Sequence, residues 1–371
     1  MAQHIKQTLP DAPAITTSLS VVAGGWSTVS NAADAQGSSR QNSADAALPE
    51  HRTGSSEIGR AIDLLNNSAV AVAKLHRTAC RKQQLELQPL KQAVDALIEN
   101  FASDPNTLFW ALAANRGMYY LGRRAVGCAV WALALGRRLD FDHAALHDLM
   151  LGALLLDIGK VKVPVVILAK ASGLNEAEQK FARRHVAEGI RMLESVDGLS
   201  PATIEMVHSH HERIDGSGYP FGLQGDQVSL YAQIAGIVDS FDALSLSRYY
   251  ADGLSGHAAL SSLQTECGEK FAPLLLEHFF SAIGEFPTGT WIEFPDGRTG
   301  VVCSQDAKEH VGAQVALIAD AQQQPFLAIR WLSLHEHGEA RALPPAERPN
   351  HAAAMERSLQ AAIYARRARK Y

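Results

Sequence analysis

The run His208-Ser209-His210-His211-Glu212-Arg213-Ile214-Asp215-Gly216-Ser217-Gly218-Tyr219-Pro220 constrains this chain more than any other stretch. It packs two adjacent imidazoles, a carboxylate and a glycine-rich turn ending in Tyr-Pro into a few residues. Ser200-Pro201 just before it reads as a helix start, with serine as N-cap and proline at the first helical position. That helix carries Ile204, Met206 and Val207 inward and delivers His210 and His211 near its C-terminal end. Asp215-Gly216 and Ser217-Gly218 then favour a turn, because glycine tolerates positive φ. Histidines at a buried helix end beside a tight loop are candidate metal ligands, although a His-His pair standing alone is also a common surface feature.

The chain has 371 residues, 47% of them apolar and 20% charged, enough for a sizeable core and for two domains or one domain with appendages. A net charge of −5 argues against nucleic-acid binding through a basic field, so no DNA partner is expected. Cys80, Cys128, Cys267 and Cys303 lie far apart without a CxxC pair and read as reduced, cytoplasmic thiols. No apolar run of about 18 residues suggests a membrane span, and no basic start followed by an apolar block suggests a secretory signal.

Residues 1–57 are rich in Ala, Ser, Gly, Thr and Asn and read as a disordered arm. Residues 58–106 form an N-terminal helical segment. Ile62, Leu64, Leu65, Val70, Val72 and Leu75 fit one amphipathic helix, and Leu90, Val94, Leu97 and Ile98 fit a second that ends at Ser103-Asp104-Pro105. Residues 107–286 read as the helical core. Helices are expected over Thr107–Tyr120, Leu121–Arg138, His143–Leu156, Ser229–Ser245 and Ala272–Ile283. Asn175-Glu176-Ala177-Glu178 looks like the capping box of a helix holding His185, with Gly189 one turn further on. Asp157, at the end of a strongly apolar helix, is costly to bury without a cation: a metal, Lys160 or an arginine. Asp239 and Asp242 share one helix side.

Residues 287–335 change period. Trp291–Phe294, the turn Pro295–Arg298 and Gly300–Cys303 read as a β-hairpin, with Val315–Ile318 and Phe326–Ile329 as two further strands. Residues 336–371 form a tail with a basic helix from 351 to 370. The expected fold is therefore mainly α, with a small C-terminal β appendage.

In order, Asp157-Ile158-Gly159-Lys160, His185, His210-His211-Glu212, Asp215-Gly216-Ser217-Gly218-Tyr219-Pro220, and Val238-Asp239-Ser240-Phe241-Asp242-Ala243-Leu244 with Arg248 resemble the HD-GYP domain over roughly residues 100–305. The resemblance implies an HD-superfamily helical bundle and metal-dependent hydrolysis of cyclic di-GMP, a bacterial second messenger, at two or three iron or manganese ions. By resemblance Asp157 bridges the ions, His185, His210 and His211 bind the second and any third, and Asp239 completes the first. Lys160 and Arg248 face phosphate, while Asp215, Gly218, Tyr219 and Pro220 belong to the ligand loop.

Two positions depart from that pattern. Leu156 stands where the family has the histidine of its His-Asp pair, and Arg124 aligns with an earlier ligand histidine; Tyr120 stands where three-metal members have a Glu ligand. His147-Asp148 lies more than two helical turns upstream and reads as helix-face polarity. The losses remove both imidazoles from one ion. Arg124, a permanent cation, is expected to occupy the vacated position and pair with Asp157 or Asp239. Asp242 and Glu212 are expected to hold neighbouring groups.

Two function classes follow. In the first, the protein is a module responsive to cyclic di-GMP or a related dinucleotide, or one that engages a signalling protein such as a diguanylate cyclase. In the second, it is a phosphodiesterase with a reduced site; the remaining alternative is a purely structural helical protein in which His185, His210 and His211 are leftover core or surface histidines. The expected cofactor is one iron or manganese ion, or none. The helices from Ile58 to Asn100 suit either a sensing element or a homodimer interface.

Overall fold

The protein is described here by a computed structural model covering residues 57–115, 118, 120–194, 196–246, 253–305, 313–337, 339–344 and 347–348. The N-terminal arm with residues 1–56, Arg248 and the basic C-terminal helix lie outside the described residues.

Helices α1 (Glu57–Cys80), α2 (Gln88–Ser103), α3 (Pro105–Ala114), α4 (Tyr120–Arg138) and α5 (His143–Leu155) come first. Asp104 ends α2 and caps α3, its carboxylate accepting from the Asn106 amide. The expected helix over Thr107–Tyr120 instead starts at Pro105 and stops at Ala114. Asn115 leaves the helical region there, and its side-chain amide donates to Asn66 of α1 at 2.8 Å.

Helix α4 is buried on every side from Ala125 to Gly136, as an all-apolar helix must be. Around it a column of aromatic contacts crosses the bundle. Phe101 meets Phe109, Phe109 stacks on Trp131, Trp131 meets Phe241, and Phe241 meets Phe279. The N-terminal helices share this core, with Ile58, Leu65, Leu90 and Leu97 buried in it. Val70 does not. It is 62% exposed, because the inward stripe of α1 runs through Ala61, Leu65, Ala69, Val72, Leu75, His76 and Ala79.

A 3-10 turn at Ile158–Lys162 follows α5 and leads into α6 (Val165–Leu168), α7 (Glu176–Arg183), α8 (His185–Leu193) and α9 (Pro201–Ser209). The capping box at Asn175 and Glu178 forms, but it opens α7 and not the helix of His185. A break at Arg184 separates the two. There the His185 imidazole takes a hydrogen bond to the Ala182 carbonyl at 2.8 Å. Further on are α10 (Leu230–Ser245), α11 (Gly256–Thr265) and α12 (Pro273–Ile283). Ser229 caps α10. The polar, short-side-chain α11 had no strong periodic signal in the sequence.

The C-terminal part is an antiparallel sheet with strand order β4-β3-β2-β1-β5, formed by β1 (Trp291–Glu293), β2 (Thr299–Ser304), β3 (Gln314–Ala319), β4 (Pro325–Ser333) and β5 (Arg341–Ala342). A one-turn helix, α13 (Leu334–His337), joins the last two strands. Strand alternation splits the sheet between two cores. Trp291, Val301, Cys303, Ala316 and Ile318 face the helices. Ile292, Val302, Val315 and Leu317 form a second cluster with Phe286 and Phe294. Among the described residues no helix is long and apolar enough to cross a membrane.

Candidate metal centre

Four elements converge on one polar site inside this bundle. α5 delivers Asp157 through its C-terminal exit, α8 starts with His185, α9 ends at His210 and His211, and α10 carries Asp239 and Asp242. His210 is fully buried, as C-cap of a helix that Ser200 and Pro201 start as the sequence indicates.

The three imidazoles meet through their Nε2 atoms. His185 Nε2 lies 3.4 Å from His210 Nε2 and 3.3 Å from His211 Nε2. Nδ1 of His185 is 2.8 Å from the Ala182 carbonyl and Nδ1 of His210 is 3.0 Å from the Val207 carbonyl. A carbonyl only accepts, so each Nδ1 carries the proton and each Nε2 turns a lone pair inward. Burial pushes His185 down to about 3, His210 below its ordinary value and His211 well below it. Neutral rings with facing lone pairs repel unless a cation lies between them.

Asp157 completes this pole. Its Oδ1 is 3.7 Å from His185 Nε2 and is buried without a hydrogen bond. Its Oδ2 accepts from Lys160 Nζ at 2.7 Å. Burial raises the Asp157 pKa, but Lys160 and Arg124 outweigh it and hold the carboxylate well below the usual range. The three convergent Nε2 atoms fit one metal ion, and the orphaned Asp157 Oδ1 lies beside them, 3.7 Å from His185 Nε2. These four residues would hold it; a bound ion there would polarise phosphate oxygen and lower the pKa of water.

The other pole does not fit an ion. Arg124 is buried on α4 and hydrogen-bonds Asp239 through Nη2. Its Nε lies 3.7 Å from Asp157 Oδ2 and its Nη1 3.9 Å from Asp242 Oδ2. Burial works against this cation, but Asp239, Tyr120, Cys128 and Asp157 together outweigh it and raise the Arg124 pKa well above its ordinary value. Nε and Nη1 make no hydrogen bond. Leu156 is buried beside Asp157 and offers no donor atom.

Sequence reasoning missed two residues of this site, one at each pole. Arg123 Nη1 is 3.2 Å from Asp242 Oδ1, the oxygen that also accepts from Trp131 Nε1 at 3.2 Å. Gly127 makes the pairing possible, since a Cβ there would collide with the Asp242 carboxylate and the Arg123 guanidinium. His76 is the second. It is buried on α1 with an unpartnered Nδ1, and burial lowers its pKa to about 4, with Asp157 and Lys160 among its electrostatic neighbours. Its place on the inward stripe of α1, four residues after Val72, was a usable signal.

The loop that follows the histidines is held from inside. Glu212 accepts from the Phe221 amide at 2.7 Å and the Leu223 amide at 3.0 Å. Gly218 runs so close to the Glu212 and Arg213 main chain that a Cβ would overlap it. Tyr219, which precedes a cis proline, stacks on His211 with ring centroids 4.5 Å apart, and Arg183 caps its other face at 4.6 Å. Asp215 sits in the same loop, exposed, and accepts from the Ser217 amide. His147 faces Asp95 of α2 at 3.8 Å, away from this site.

A helical bundle with a buried His/Asp cluster at the junction of α5, α8, α9 and α10 is the architecture of a metal-site helical domain. The chain belongs to the HD domain family, whose sequence model matches residues 63–275, more than half of its length. It is 31% identical over 268 residues to a cyclic di-GMP phosphodiesterase of Pseudomonas aeruginosa, covering 72% of this chain and 64% of that protein. It is 38% identical over 128 residues to 3'3'-cGAMP-specific phosphodiesterase 2 of Vibrio cholerae, covering 33% of this chain and 24% of that protein. The matched parts thus fall short of two thirds of these relatives' lengths. The fold is similar to that of an HDG"Y"P protein from Bdellovibrio bacteriovorus, with a TM-score of 0.52, 18% identity, and coverage of 62% of this chain and 73% of that one.

Proposed function

We propose that this chain is an HD-GYP domain of cyclic dinucleotide signalling that binds its ligand at a one-ion site without efficient hydrolysis. The observation that carries this reading is Arg124, whose guanidinium stands among Asp157, Asp239 and Asp242 where the family resemblance puts the first ion. A guanidinium holds phosphate well, but it generates no hydroxide at neutral pH. Two-ion chemistry stabilises both the attacking and the leaving oxygen, and here only one of the two positions has a ligand set. The relatives' activity on cyclic di-GMP and 3'3'-cGAMP supports a ligand of that class. Lys160 and the Tyr219 loop supply a cation and an aromatic ring beside the site. Iron or manganese would suit the three imidazoles and one carboxylate, and a diguanylate cyclase or a second copy of the chain would be the partner that reads the bound state.

A second reading rests on the orphaned Asp157 Oδ1 facing three Nε2 atoms. A single ion held there would activate water slowly and leave a weak phosphodiesterase. Turnover decides between the readings. Protein purified without oxygen is incubated with cyclic di-GMP and iron or manganese, and linear dinucleotide and GMP are quantified against Asp157→Ala. The expected result is saturable binding with no product above the control. Product that disappears in Asp157→Ala establishes the reduced enzyme instead, and absence of binding overturns the proposal.

A further inference from the structure

Away from the histidine cluster, a surface groove of about 370 Å³ lies where three segments meet. Ala79, Lys82, Gln83 and Leu85 come from the end and exit of α1, Lys162 from the end of the 3-10 turn, and Arg191 with Met192 from the last turn of α8. Its volume is within the range of small-molecule sites. Its chemistry is one-sided: three cations, one amide and an apolar floor, with no acidic residue in the lining, in a chain whose overall charge is −5.

Ordinary roles for these cations leave part of the pattern unexplained. Arg191 pairs with Glu188 on its own helix. Among the described residues, no carboxylate lies within ion-pair distance of Lys82 or Lys162, although Lys162 is half-buried. Basic side chains often complement helix C-termini. Neither lysine, however, donates a hydrogen bond to a terminal carbonyl among the described residues. Lys82 also has a φ of 56°, at a helix exit where glycine is the unstrained choice. The chain thus keeps a long cation at a position whose backbone favours no side chain.

We propose that this groove binds a small phosphate-bearing anion, as a site separate from the metal centre. The three cations would surround the phosphate, with Gln83 as a neutral donor and Leu85 and Met192 available to an attached apolar group. The placement connects the two sites. The 3-10 turn carries Lys162 into the groove two residues after Lys160, which holds Asp157. Helix α8 carries Arg191 into the groove and His185 into the cluster. An anion in the groove would tie these two elements and α1 together.

The test is calorimetric titration of the full chain, as purified, with inorganic phosphate, GMP and guanosine in parallel. The expected result is saturable binding of GMP but not guanosine. Lys82→Gln and Lys162→Gln should each weaken it about tenfold or more, since each removes a charged hydrogen-bond donor. His211→Ala should leave it unchanged. Both lysines lie at the surface, and the melting curves of the variants check their fold. Phosphate binding with the same dependence assigns recognition to the phosphate alone, and GMP binding alone assigns it to a nucleotide. Three outcomes overturn the proposal: no saturable binding of either anion, equal binding of guanosine, or binding lost in His211→Ala but kept in the two lysine variants.

Discussion

The two poles of the buried site solve the same electrostatic problem in opposite ways. At one, Asp239 and Asp242 are neutralised by the protein's own Arg123 and Arg124. At the other, His185 and His210 turn neutral Nε2 lone pairs towards each other, with His211 and an unpartnered carboxylate oxygen beside them. The arginine pole carries its counter-charge on covalently attached side chains and is present whatever ions are supplied. The histidine pole has donors but no cation of its own between them. On the proposed reading, a metal-site fold loses one ion and stays folded because an attached cation of the right reach replaces it.

Reversing the replacement tests this contrast most strongly. Arg124→His together with Leu156→His should raise the metal content of anaerobically purified protein from about one to about two ions per chain and bring hydrolysis with it. Metal analysis that still finds a single ion would mean that the arginine pole is not a converted ion position. Breaking the arginine pole comes next. Asp242→Ala leaves the buried Arg124 and the half-buried Arg123 short of a partner and should cost about 3–5 kcal/mol, read from urea unfolding. A loss under about 1 kcal/mol would show that the pole is held by packing alone.

Acid sharpens the difference by acting on the neutral side. His76 has a folded pKa of about 4 against 6.5 unfolded, so the unfolded chain takes up the proton first. Its stabilisation is complete above pH 6.5 and falls as the pH drops towards 4, by about 3 kcal/mol in total. Urea midpoints between pH 7 and 4.5 should decline, and His76→Gln should flatten the decline; an unchanged slope would remove His76 from this account. The smallest effect concerns space. Gly127→Ala should destabilise by about 1–3 kcal/mol, because the methyl displaces the Arg123–Asp242 pair. A neutral result in thermal melting would mean that the pair shifts without cost.

Local signals made much of this legible in the sequence. Ser200-Pro201, the Asn175–Glu178 capping box and Ser229 start their helices as their side-chain chemistry requires. The hairpin of β1 and β2 follows from alternation and the Asp296-Gly297 turn. What stayed hidden depends on long-range partners. The break at Arg184 turns on a side-chain hydrogen bond from His185, which helix periodicity does not register. Arg123 and Asp242 are far apart in sequence, and the glycine that lets them meet carries no side chain to betray its purpose. Val70 matched an apolar pattern that the actual stripe of α1 passes by.

One contact sets the scale of the whole site. Gly159, two residues after Asp157, lies so close to α8 that a Cβ would overlap the His185 carbonyl. The two main chains therefore act as the fixed jaws of a calliper, and the opening between Asp157 and His185 is set by backbone against backbone. Side chains in the mouth can be exchanged without resetting that opening. The gauge is cut into the main chain, and whatever sits in the mouth must fit it.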